Sequence, residues 1–116
     1  MKYELPYPPT MNTYWRHCNG RHFISAKGKK FREDTVLTVM EEGKPITQEG
    51  AVELEIFLWH PDRRKRDIDN VLKPILDALQ AAGVYKDDQQ VSRLEITRCG
   101  TADGGKCIVH VKTAST

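Results

Sequence analysis

The chain has 116 residues, 39% apolar and 29% charged, with a formal net charge of +2. That length suits one domain around one core, residues 1–116, with little stability to spare unless a dimer interface adds some. The balance is too apolar for a disordered chain, and no apolar run approaches the roughly 20 residues that a membrane helix needs.

The opening "MKYELPYPP" has no signal-peptide core and reads as a short strand halted by Pro8-Pro9. Cys18, Cys99 and Cys107 lack framework spacing, so reduced thiols in the cytoplasm are expected. A zinc site drawn from Cys18, Cys107, His17, His22 and His110 is disfavoured, because no CxxC pair supports it. Residues 10–24 read as an irregular segment rich in Asn, Arg, His and aromatics. Ser25 is placed to cap a helix over residues 26–42, ended by Gly43 and Pro45. Its buried stripe would come from Phe31, Val36, Val39 and Met40, although the helical period is only fair.

Residues 51–59, "AVELEIFLW", alternate strictly. Val52, Leu54, Ile56 and Leu58 would face a core, with Glu53, Glu55, Phe57 and Trp59 on the other side. After a loop, "VLKPILDALQAAG" sets Val71, Leu72, Ile75, Leu76 and Leu79 on one helical face, and Gly83 fits a left-handed C-terminal cap. Pro74 is best tolerated in the first turn, so regular helix should begin near Asn70 or Val71. Strands near residues 91–98 and 106–113 close the chain. The resulting order, β-α-β-α-β-β, predicts an α+β fold: a small mixed sheet with two helices packed on one face.

The chemistry concentrates in "RRKRDIDN", residues 63–70, where four cations run into Asp67 and Asp69. Carboxylates two apart share a side in extended backbone and can converge on one ion at a loop-to-helix junction. Mg²⁺ is commonly held by one or two carboxylates with phosphate oxygens and water. Lys73 lies one helical turn past Asp69 and could neutralise a phosphate oxygen. Asp87 and Asp88 form a second acidic pair. Asp88 can only just return to the junction within its own chain, since a 12-residue helix spans about 18 Å. Simpler readings exist for each: Asp69 as a helix cap, Asp87 and Asp88 as turn residues, Lys73 as a solvated lysine. An EF-hand is excluded, because Val71 and Leu72 occupy positions that need an oxygen ligand and a glycine. No P-loop or GxGxxG favours a nucleotide cofactor. A metal site beside a phosphate-binding strip remains.

"RDIDNVLKPILDAL" (66–79) followed by "VYKDDQQV" (84–91) resembles the RusA family of Holliday junction resolvases, common in prophages. "LPYPPTMNTYWRH" (5–17) and "ISAKGKKFRE" (24–33) are similar to the same family, although Thr10-Met11-Asn12 stands where Ser-x-Asn is frequent. The resemblance implies a homodimer of small α+β subunits that cuts four-way DNA junctions with paired nicks, using Mg²⁺ or, in substitution, Mn²⁺. It implies Asp67, Asp69 and Asp88 as catalytic metal ligands and Lys73 as the essential lysine, with Asp87 adjacent to the set. Arg16, Lys27, Lys29, Lys30, Arg63, Arg64, Lys65 and Arg66 would then bind backbone phosphates. The competing expectation is a non-catalytic junction-binding protein on the same fold.

Overall fold

The computed structural model describes residues 1–43 and 47–113. One four-stranded sheet forms the body, in the order β1-β6-β4-β5. Its strands are β1 (Lys2–Leu5), β4 (Val52–His60), β5 (Val91–Thr101) and β6 (Lys106–Thr113). β6 runs antiparallel to β1 and β4, whereas β4 and β5 are parallel. The sheet is therefore mixed, as expected. A parallel pair requires a long crossover, and here residues 61–90 make it, carrying α3 (Leu72–Ala81).

The alternation in β4 appears directly in burial. Val52, Leu54, Ile56 and Leu58 are buried, while Glu53, Glu55, Phe57 and Trp59 are half-buried on the other face. The covered face packs on α2 (Ala26–Glu41) and α3 in a single core with Tyr3, Tyr14, Phe31, Ile75 and Leu79. Burying a side chain of that kind contributes roughly 1.5–3 kcal/mol, so this face holds the fold. α3 ends in a Schellman arrangement. Gly83 has φ +81°, its N–H donates to the Gln80 carbonyl at 3.0 Å, and the Val84 N–H donates to that of Leu79 at 3.1 Å. A short 3-10 turn, Ile68–Val71, leads into α3, so regular helix starts at Leu72 with Pro74 in its first turn.

α2 is capped by Ser25, whose hydroxyl accepts from the Gly28 N–H at 3.0 Å. Its buried side differs from the expected stripe. Phe31 and Val39 are buried and Val36 is partly so, but Met40 is 53% exposed and Thr35 is buried in its stead. Thr35 can occupy the core because its hydroxyl donates to the Phe31 carbonyl at 2.8 Å, which leaves only its methyl to pack. Gly43 follows the helix with φ +107°; Pro45 lies outside the described residues.

Residues 10–24 are not irregular. They form α1 (Met11–Tyr14) and a hairpin of β2 (Trp15–Cys18) and β3 (Arg21–Ile24), joined by Asn19-Gly20. Both turn residues have positive φ, +50° and +76°. That is the two-residue type I′ hairpin turn for which Asn-Gly is the preferred pair. Asn19-Gly20 is the sequence signal for this turn, and the strands it joins are only four residues long.

Among the described residues, no helix is long and apolar enough to cross a membrane. Cys18 and Cys99 are exposed free thiols and Cys107 is a buried one.

Candidate functional site

The crossover 61–90 leaves the carboxyl end of β4 through a loop that is folded upon itself. Asp62 accepts the Arg64 backbone N–H at 2.9 Å and the Arg66 guanidinium at 2.7 Å. The Arg66 guanidinium, first, and the Arg64 N–H hold the Asp62 carboxyl far below the usual carboxylate range. The guanidinium of Arg98, on β5, donates at 2.8 Å to the carbonyl of Arg66, the residue before Asp67. His60, the last residue of β4, closes the loop's other end. Its Nδ1 shares a 2.7 Å hydrogen bond with the Tyr7 hydroxyl, and its carbonyl accepts from the Ala102 N–H at 2.9 Å. His60 is 6% exposed and its Nε2 has no partner among the described residues. Burial, then the Arg98 and Arg66 charges, pushes its pKa down, which disfavours the charged ring.

Beyond this clamp come the two aspartates. Asp67 precedes the 3-10 turn and Asp69 lies within it, yet neither side chain caps it. Both are exposed, and neither carboxylate makes a hydrogen bond or ion pair with any described residue. The helix-cap reading of Asp69 therefore fails. Two carboxylates of unspent charge stand at the end of a basic loop.

Asp88 pairs with Lys73 of the same chain. The Lys73 Nζ donates to Asp88 Oδ2 at 2.5 Å. The Asp88 backbone N–H donates to Gln80 Oε1 at 3.1 Å, which sets Asp88 along the flank of α3 rather than at its start. Among the described residues, no three His, Cys, Asp or Glu side chains gather closely enough to hold a metal ion. Cys107 is a core residue whose thiol burial pushes up to about 12. Asp87 has a structural task. It caps the 3-10 turn Asp88–Gln90, accepting the Gln89 N–H at 2.9 Å, while Gln90 Oε1 accepts the Asp87 N–H at 3.0 Å. The side-chain amide of Gln90 then ties this turn to the Gln48 and Gly50 carbonyls. The turn so fixed presents Asp88 to Lys73.

The cations divide by what they touch. Arg63 and Lys65 are exposed without a partner among the described residues. Arg64 is 82% exposed and only brushes Asp62 at 3.3 Å. Arg66 is the most enclosed of the four, held by Asp62. Arg16, Lys27 and Lys29 are exposed, and Lys30 pairs with Asp34 at 3.2 Å. α1 packs against α2, α3 and the 3-10 turn that carries Asp69, and so links the N-terminal cations to the acidic site.

Residues that the sequence did not single out build the frame: Asp62, Arg98, His60 and Tyr7 around the loop, and Arg32 with Asp77 beneath α1. Arg32 meets Asp77 at 2.6 Å and the Tyr14 hydroxyl at 3.3 Å, and Tyr14 also donates to Asp77. Asp62 and Arg66 carried a usable signal, being opposite charges four apart beside a strand end.

The family model described as endodeoxyribonuclease RusA matches residues 6–112. A crossover junction endodeoxyribonuclease of Enterobacteria phage HK97 is 36% identical over 95% of this chain and 92% of its own length. Proteins of the same name from Shigella sonnei and Escherichia coli K12 are 37% and 36% identical, each over 88% of this chain and 85% of their own length. The matched span contains the loop clamp, both free aspartates, the Lys73–Asp88 pair and the hairpin, and at this identity and coverage the chain belongs to the RusA family of endodeoxyribonucleases.

Proposed function

We propose that this chain is a structure-selective DNA endonuclease that resolves four-way junctions by paired symmetric nicks. The observation that carries the reading is the exposed, unspent pair Asp67 and Asp69 at the end of a loop bearing Arg63, Arg64 and Lys65. A carboxylate pair beside a cation strip suits a polyanion presented next to a hard metal ion. The junction-cutting names of the relatives supply the kind of DNA.

The donor chemistry fits Mg²⁺, or Mn²⁺ in its place: hard carboxylate oxygens, two of them free, where such an ion needs only one or two besides phosphate and water. Asp67 and Asp69 would hold it, with Asp88 available once Lys73 lets go. A divalent ion there would supply activation of a water and stabilisation of the leaving oxygen.

The chain's own groups do the rest. In the free protein Lys73 and Asp88 neutralise each other. An arriving phosphate competes for the ammonium, so Lys73 turns to the scissile group and Asp88 is released as a bare carboxylate. The Arg98 and Arg66 clamp keeps the backbone before Asp67 from shifting as the loop cations take up phosphates. Those contacts read backbone shape more than base sequence.

Paired nicks imply two sites related by a two-fold axis, and thus a homodimer. β5 offers a surface for it: an eleven-residue strand at the sheet edge with no residue fully buried. An open edge of that length is normally covered or paired. The cytoplasm, where the DNA and the reducing conditions are, is the compartment we assign.

The test is cleavage of a synthetic four-way junction with Mg²⁺ and with chelator, both nicks mapped. Symmetric paired nicks that vanish with chelator are expected. Asp69→Asn should abolish nicking while junction binding persists. Nicking by that variant at the wild-type rate would remove Asp69 from the chemistry, and binding without any wild-type nicking would favour the non-catalytic reading.

A further inference from the structure

Beside the acidic site, and unused by it, is a hollow of about 300 Å³ lined by Met11, Asn12, Trp15, His17 and His22, at the small end of the size class of small-ligand pockets. We infer that this hollow, between α1 and the β2–β3 hairpin, seats one unstacked DNA base at the cut site, with His17 and His22 stacking on it and Asn12 reading its edge. The inference rests on the nuclease reading and adds to it a determinant of where the strand is cut.

Strand pairing creates the lining. His17 lies opposite His22, and Trp15 opposite Ile24, so the hairpin turns these side chains to one face and Arg16, Cys18, Arg21 and Phe23 to the other. The two imidazoles sit with centroids 3.9 Å apart, and the Trp15 ring meets Tyr14 edge-on at 4.4 Å. Apart from that mutual ring contact, neither histidine has a partner among the described residues, and the Asn12 amide has none. Aromatic faces with a side-chain amide are the groups by which proteins hold an unpaired base: the ring surface takes the π-face and the amide takes the hydrogen-bonding edge. The hairpin's far face carries Arg16 and Arg21 with Phe23, which is 47% exposed, and so offers cations to the same strand's phosphates.

Location and rigidity complete the argument. α1 packs on the 3-10 turn that bears Asp69, so a base in the hollow belongs to a nucleotide near the scissile phosphate. The root of the hairpin is fixed: the Ser25 N–H donates to the Tyr14 carbonyl at 2.8 Å, and Ser25 Oγ donates to that of Thr13. Gly28 lets α2 approach so closely that a Cβ there would stand 2.5 Å from the Tyr14 carbonyl oxygen. A branch point is where a base can leave its stack at least cost, because its neighbours are already interrupted.

Two readouts test this. In an Asp69→Asn background, 2-aminopurine beside the mapped nick should change fluorescence when the junction binds, and His17→Ala with His22→Ala should abolish the change. With the active chain, junctions differing only in that base should be nicked at rates spread about tenfold or more, and Asn12→Ala should compress the spread to about twofold. Thermal melting of each variant checks that it folds; all three positions are exposed. An unchanged fluorescence signal in the double variant, or an undiminished spread in Asn12→Ala, overturns the inference. A chain that gives the fluorescence change yet nicks no junction refutes the nuclease reading and leaves the base seat standing.

Discussion

Replacing Gly28 by alanine should destabilise the chain, against the ordinary trend for helices. In a helix interior alanine is favoured over glycine by about 1 kcal/mol. At residue 28 the new Cβ would stand 2.5 Å from the Tyr14 carbonyl oxygen, 2.8 Å from Ile24 Cγ1 and 3.2 Å from Tyr14 Cδ1. Ile24 can yield, but the Tyr14 oxygen is backbone and already accepts the Ser25 N–H. Overpacking of this kind costs roughly 1–3 kcal/mol. The Ser25 hydroxyl bond to the Gly28 N–H is strained in the same movement, and losing a cap costs about 1 kcal/mol more. After the propensity gain is subtracted, a net loss of about 1–3 kcal/mol remains, or a Tm lower by roughly 4–12 °C at the usual conversion for a domain of this size. Thermal unfolding followed by circular dichroism measures it, with the exposed neighbour Lys29→Ala as the control expected within about 0.5 kcal/mol. A Tm for Gly28→Ala equal to or above wild type would refute the reasoning, because α1 would then not be wedged against α2.

Arg64→Ala should weaken junction binding and flatten its salt dependence by about 0.9 in log–log slope, one phosphate contact's worth, read by titrations at several salt concentrations. Arg98→Ala should lower the nicking rate more than it lowers junction affinity, since it frees the carbonyl before Asp67 and leaves the exposed loop cations in place; single-turnover kinetics beside equilibrium binding separate the two. His60 is held below its ordinary pKa of 6.5 by burial and by Arg98 and Arg66, with Asp62 opposing. The unfolded chain therefore takes up a proton at residue 60 that the folded chain refuses, and stability falls as pH drops below about 6.5. Melting between pH 7.5 and 5.5 should show the loss, and His60→Asn should reduce the slope.

The parts most legible in the sequence were those governed by period. The β4 alternation and the α3 stripe translate straight into burial, because a side chain's face is set by its position in the repeat. The acidic pair and Lys73 were legible as residue types and spacing, and the family motif joined them to Asp88. What the spacing could not supply was the state of each charge. Asp67 and Asp69 are free, Asp88 is held by Lys73, and Asp87 caps a turn, and such differences depend on which long side chain from another element arrives. The same reason hid Arg98, which reaches the loop from across the β4–β5 pair. Met40 and Thr35 exchanged places because α2 meets its neighbours through Gly28 and Thr35, small residues that a hydrophobicity pattern passes over.

The parallel pairing of β4 with β5 has a consequence for the order of events in a newly made chain. Asp67, Asp69, Lys73 and Asp88 all lie on the crossover between those strands, and Arg98, which pins its start, lies on the second of them. Antiparallel neighbours can zip from a turn, but a parallel pair must first close the whole intervening segment, and such pairings form late. The clamp before Asp67 therefore cannot form until β5 has docked, and the hairpin and α2, made earlier, wait for it. A partly folded chain would therefore expose the loop cations before the backbone ahead of Asp67 is braced. The topology thus ties the bracing of the Asp67 backbone to the docking of the last-formed parallel strand.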